Sequence, residues 1–177
     1  MFFVESDEEI TLCPNCGSIL EYHCRVVRGL TVSTGLKNTY SIRILKCINT
    51  ACPTSYHREL PDIITPYRRY DTESIEEAIT QENKKITVAA EHSTIYRWRK
   101  WFRQNVTYII MALLSVAAVL GDSTESSSLT NQTDTSITQI ETIKGIVARK
   151  TKWLNEAVRI LVNSSKWIFN RSAFLSG

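Results

Sequence analysis

The spacing of hydrophobic and polar positions changes character along this chain. Tyr40, Ile42 and Ile44 alternate with Ser41, Arg43 and Leu45, the period of a strand with one face buried. Gly29 to Asn38 carries turn residues suited to closing a hairpin, and the whole stretch from Thr11 to Pro61 reads as short strands and turns. Pro61 and Pro66 punctuate a connector, and after Tyr70 the period becomes that of a helix. Asp71 or Thr72 can cap a helix whose apolar positions are Ile75, Ala78 and Ile79, with Glu73, Glu76 and Glu77 near its positive end. A second short helix is expected to include Val88 to Glu91. A third is expected to start with Ser93 as its cap and to run through Gln104, with continuation into the apolar stretch beyond as the alternative, and with Ile95, Trp98 and Phe102 at i, i+3 and i+7 forming its core stripe.

Val106 to Leu120 is an uncharged run of fifteen residues. It falls short of the roughly 20 needed to span a bilayer, so a buried core helix is expected and a membrane association is not. Asp122 to Ser136 has no apolar period and is dominated by Ser and Thr, as in a linker or exposed loop. Beyond it, Ile140, Ile143, Val147, Leu154, Val158, Leu161 and Ile168 recur at helical steps, marking one or two amphipathic helices within 137–169 that should pack on Val106 to Leu120 or on a second copy.

These segments imply an α+β chain: a tail at 1–10, a zinc ribbon of short antiparallel hairpins at 11–61, a helix-turn-helix-like helical domain at 62–121, a Ser/Thr-rich linker at 122–136 and C-terminal amphipathic helices at 137–177. With 177 residues and 43% hydrophobic content the chain can bury a substantial core. The net charge of +3 is too small for the overall field to attract nucleic acid, so any such affinity must come from local clustering of Lys and Arg.

Clustering is also evident among the cysteines. Cys13, Cys16, Cys24, Cys47 and Cys52 all lie in the first third of the chain, and no basic-then-apolar leader precedes them, which points to a reduced, cytoplasmic setting. Cys13-Pro-Asn-Cys16-Gly17 has the form of a zinc knuckle, with Gly17 free to take a positive φ beneath the sulfurs. Cys47 and Cys52 form a second pair with four residues between them. Four thiolates close a tetrahedron and leave no open position, so Cys13, Cys16, Cys47 and Cys52 are expected to hold a structural Zn2+ without catalysis. Cys24 is the spare, and either Cys24 or His57 is an alternative ligand.

On the helix beginning near Ser93, Tyr96, Arg97, Arg99, Lys100 and Arg103 have no acidic residue among them. Such a surface suits phosphates and base edges in a major groove, with Ser93 and Thr94 at the helix end that enters it. Arg68, Arg69, Lys84 and Lys85 can add backbone contacts. The DNA-binding set is therefore Ser93, Thr94, Tyr96, Arg97, Lys100 and Arg103, and double-stranded DNA is the expected partner. A homodimer or protein partner through the C-terminal helices is the further expectation.

CPNCGS at 13–18, LPDIITPYRRY at 60–70 and STIYRWRKWF at 93–102 together resemble the landmarks of an uncharacterised transposase-like zinc-ribbon and helix-turn-helix family of Gram-positive bacteria. The resemblance runs from Leu12 to Phe102. It implies a mobile-element or transposase-related DNA-binding role, assigns the two cysteine pairs to the metal and assigns Ser93 to Arg97 to the reader helix. The chain departs from that pattern in having four residues inside its second cysteine pair where two are expected.

No catalytic set is visible. A transposase nuclease needs several carboxylates converging on divalent metals, whereas the acids here lie mainly in the N-terminal tail and on the first helix. The reading is a non-catalytic DNA-binding accessory or regulator. Its rivals are a zinc-stapled protein-interaction adaptor with a merely solvated basic helix, and an adaptor associated with a membrane through 106–120.

Overall fold

The alternating segment becomes one arm of a long hairpin. In a computed structural model, which describes residues 1–4, 11–81, 86–120 and 136–167, β2 (Leu20–Thr31) pairs antiparallel with β3 (Lys37–Cys47) along nearly its whole length. The turn closes through Gly35 N–H to Val32 O at 2.8 Å and Val32 N–H to Leu36 O at 3.0 Å. Gly35 sits at φ +85, and a Cβ there would stand 3.0 Å from that of Ala89, so both conformation and space favour glycine. The other edge of β3 carries β4 (Tyr56–Arg58) and, parallel to it, the two-residue β1 (Phe2–Phe3). Phe2 stacks on Tyr40, and Arg25 lies 5.6 Å over the Phe3 ring while donating to the carbonyls of Val4 and Ser41. The N-terminus is thereby tied into the sheet.

The buried face of β3 is not the same along its length. Near the turn Tyr40 and Ile42 pack with Leu30 and Ile64, but Ile44 is only half-buried and Leu45 is buried instead, beside Leu20 and the cysteines. Successive strand residues point to opposite faces, so the hairpin feeds two small clusters on opposite sides. A β-bulge between Tyr22 and Cys24 lies on β2 opposite this changeover. The expected single face of Tyr40, Ile42 and Ile44 holds only as far as Ile42.

The connector is clamped to the hairpin. Thr31 N–H donates to Arg69 O, Asp71 N–H donates back to Thr31 O, and the Arg28 guanidinium donates to the carbonyls of Arg68 and Thr65. α1 (Thr72–Thr80) then starts on Asp71, whose carboxylate accepts from Ser74 N–H at 2.9 Å. The short helix expected over Val88 to Glu91 does not form. Residues 86–91 are irregular, and the Ala89 N–H is taken by Ser33 O of the hairpin turn. Eleven residues therefore separate α1 from α2 (His92–Leu120), against the 3–4 of a compact helix-turn-helix turn.

α2 is a single helix of 29 residues in which the basic and apolar segments are continuous. Its length and composition would suffice to cross a membrane, but its inner face, including Val106, Ile109 and Leu113, is buried inside the protein. α3 (Ser136–Ile146) and α4 (Trp153–Asn163) cover that face. Ile140, Ile143, Val147, Leu154, Val158 and Leu161 share one cluster with Ile75 and Ile79 of α1 and with Phe102 and Val106 of α2. The C-terminal stripe thus packs on its own chain, and the helical stretch is broken at 147–152. Ile168, Phe169 and the linker residues 122–135 lie outside the described residues.

The start of α4 lacks a side-chain cap of its own. Glu76 of α1 supplies one, accepting from Lys152 N–H at 3.0 Å and Leu154 N–H at 2.9 Å. Burial holds its carboxyl above the ordinary carboxylate pKa. Glu76→Ala removes this cap from one exposed and one part-buried N–H and is expected to cost about 0.5–2 kcal/mol, the range for loss of a helix N-cap acceptor, in urea unfolding.

Candidate metal centre and cationic helix face

The first knuckle is built on a tight turn. Gly17 N–H donates to Cys13 O at 2.8 Å and Cys13 N–H to Ser18 O at 2.7 Å, with Gly17 at φ +70. That is the left-handed conformation expected there. The second knuckle spans its longer spacing with an Asx turn, in which the Asn49 side-chain carbonyl accepts from Ala51 N–H at 3.0 Å and the Asn49 backbone carbonyl from Cys52 N–H, also at 3.0 Å. Cys47 ends β3 and its N–H bonds Ser55 O, so sheet and turn together fix the second pair.

The four sulfurs of Cys13, Cys16, Cys47 and Cys52 lie within 4.8 Å of one another, and none is in a disulfide. Cys13 Sγ is 3.7 Å from Cys52 Sγ, and Cys16 Sγ is 3.5 Å from Cys47 Sγ. This set suits a metal ion, and the small N-terminal sheet around it suits a zinc ribbon. Hydrogen bonds from Ser18 lower the Cys16 thiol to about 6, whereas burial pushes Cys47 up to about 12. A cation among the sulfurs would stabilise both as thiolates. Cys24 lies apart, paired across the sheet with Ile44. His57, on β4, places Nε2 3.3 Å from Cys13 Sγ and 3.1 Å from Thr54 O, beside the four sulfurs.

α2 separates its side chains by angle. Ile95, Trp98 and Phe102 are buried, and Trp101 joins them beneath the Arg68 guanidinium at 4.6 Å. Trp98 meets Tyr70 edge-on at 4.9 Å. Ser93, Tyr96, Arg97, Lys100 and Arg103 are exposed on the opposite face, and Thr94 is half-buried at its margin. The cap expected from Ser93 is not seen. The helix begins two residues earlier, at His92, Glu91 O accepts from Thr94 and Ile95 N–H, and the Ser93 hydroxyl reaches the Glu91 carboxylate.

Arg99 does not belong to the outer face. Its guanidinium donates to Ala78 O at 2.8 Å and Gln81 O at 3.0 Å, satisfying carbonyls at the end of α1. The angular rule could have found this: at about 100° per residue Arg99 lies roughly 60° from Phe102, while Lys100 lies roughly 160° away. Arg68 is likewise used internally, over Trp101. Arg69 is exposed, and Lys84 and Lys85 fall outside the described residues.

Residues 13–98 match the model of the DUF6431 family, a domain of unknown function. That span contains both cysteine pairs, the connector and the start of α2. Neither a curated protein nor a solved structure matches the chain.

Proposed function

We propose that the protein is a non-catalytic, zinc-containing DNA-binding protein, an accessory or regulator of the transposase-related kind that its sequence landmarks resemble. The observation that carries this reading is the division of α2 into a buried aromatic stripe and an opposed exposed stripe of Tyr96, Arg97, Lys100 and Arg103. Ser93 to Arg103 covers about 15 Å of helix at 1.5 Å per residue, and a major groove about 12 Å wide accepts a helix presenting such a face. α1 supports α2 from behind through Arg99, the helix-turn-helix-like part of the reading, although the connection between them is long.

Zinc is the metal that the site favours. A tetrahedron with Zn–S bonds of about 2.3 Å has edges of about 3.8 Å, and the sulfur pairs at 3.5 and 3.7 Å approach that spacing. Cys13, Cys16, Cys47 and Cys52 would be its ligands. The ion would staple the two ends of the hairpin, with His57 beside Cys13 able to orient that sulfur.

Binding to labelled duplex should weaken as salt rises, with each neutralised phosphate adding about 0.9 to the logarithmic slope. Lys100→Ala is expected to flatten that slope by about one unit, and Arg97→Ala to cost roughly 1–3 kcal/mol where the guanidinium reaches a base edge. If zinc-loaded protein shows no binding to duplex at low salt, this function is wrong. Folded variants with unaltered affinity would favour the adaptor.

A further inference from the structure

β4 brings a side chain to the four sulfurs from outside either knuckle. His57 stands opposite Leu45 in the sheet, and Leu45 is buried with Cys13, Cys47 and Cys52, so the pairing turns the imidazole to the cysteine side. Its Nε2 lies 3.3 Å from Cys13 Sγ and 3.1 Å from Thr54 O. A carbonyl oxygen only accepts, so the Thr54 bond requires that Nε2 carry a hydrogen. A ring nitrogen in that state has no lone pair to give a metal, and its N–H, shared between two acceptors, is a donor to the Cys13 sulfur. Among the described residues the ligand atoms that lie within 4.8 Å of one another are the four sulfurs, without His57.

Thr54 follows Cys52 in the second knuckle and Cys13 opens the first, so this one N–H spans both. Thr54 O also accepts from Cys52 Sγ at 3.3 Å. Metal ligation takes the hydrogen from that thiol, which leaves Thr54 O to His57. Cys16 and Cys47 draw backbone donors from their own turns, at Ser18 and Asn49. Cys13 draws a donor from a strand 44 residues further along the chain. Four thiolates outweigh the charge of a divalent cation, and N–H groups that draw charge from sulfur favour the closed site.

We infer that His57 is a non-ligating donor to the Cys13 thiolate, a positioning residue that ties the two knuckles together and retains the metal. This inference rests on the zinc reading above. Wild type, His57→Ala and His57→Gln are loaded with Zn2+ or Co2+ and competed with a chromophoric chelator at one pH. Outer-shell partners are worth about 10–100-fold in metal affinity, and His57→Ala should lose about that much. His57→Gln, whose amide nitrogen can take the place of Nε2, should recover most of it. It also keeps the test decisive should the Ala variant unfold, since a Gln variant as weak as a lost donor counts against the inference. In the Co2+ forms His57→Ala should keep the ligand-field bands of wild type, because four thiolates remain. Its sulfur-to-metal charge-transfer band should move to longer wavelength, because a sulfur without its N–H donor gives up charge more easily. Unchanged affinity and an unmoved band in His57→Ala overturn the donor role. Weakening that Gln does not relieve, or ligand-field bands that change in both variants as for a lost imidazole ligand, overturns it as well, and each leaves the metal site standing. A wild type that takes up neither ion overturns the zinc reading and this inference together.

Discussion

Replacing Cys13 or Cys47 by Ser is expected to remove the metal from the protein and to unfold the hairpin module, taking metal content from one ion per chain to none. The ribbon end of the molecule has little else to hold it, since its buried cluster is Cys13, Leu20, Leu45, Cys47 and Cys52, and three of these five are ligand candidates. Structural zinc in comparable small modules supplies an apparent ~10–16 kcal/mol, and whole domains are stable by only about 5–15 kcal/mol. A site reduced to three thiols therefore cannot be made good by packing. Cys24→Ser is the control: it lies across from Ile44, apart from the four sulfurs, and should retain a full complement of metal. Elemental analysis with circular dichroism on the three variants checks the expectation, and unchanged metal in both knuckle variants would refute the assignment.

Ending the chain at Asp122 is expected to have an effect as large at the other end of the fold. It removes α3 and α4, and with them Ile143, Trp153, Leu154 and Leu161, each 1% exposed or less. The inner face of α2 would then present Val106, Ile109 and Leu113 to water as a contiguous apolar stripe, which soluble monomers rarely tolerate. The truncated protein should be aggregated or require detergent. A soluble monomer in sedimentation analysis would show that this face does not need its cover.

What could be read from the sequence was whatever depends on near neighbours. The two cysteine pairs, the positive φ of Gly17 and the Asp71 cap are local patterns, and the structure places each as its spacing implies. The features that escaped depend on distant partners. β1 is a two-residue parallel pairing with Tyr40 and Ser41, and no period announces so short a strand. A short helix is expected over 88–91, but the Ala89 N–H is taken by Ser33 O of the hairpin turn and Glu91 O already serves the first turn of α2. Arg99 was grouped with its neighbours by charge, while its angle on the helix sends it to the end of α1. The unusual spacing of Cys47 and Cys52 is accommodated by Asn49, a turn-forming residue whose part is clear only once the second knuckle is seen closed.

The unbroken course of α2 fixes the phase between its two halves. Arg97 and Lys100 keep their bearing because Val106, Ile109 and Leu113 are locked further along the same 29-residue rod. One residue inserted between Arg103 and Val106 would turn the cationic stripe by about 100° relative to the core, carrying it toward α1 and away from the surface, whereas seven would leave it within about 20° of its present bearing. The length of this helix is thus free to vary only in whole turns, and its apolar half acts as the rotational reference for the basic one.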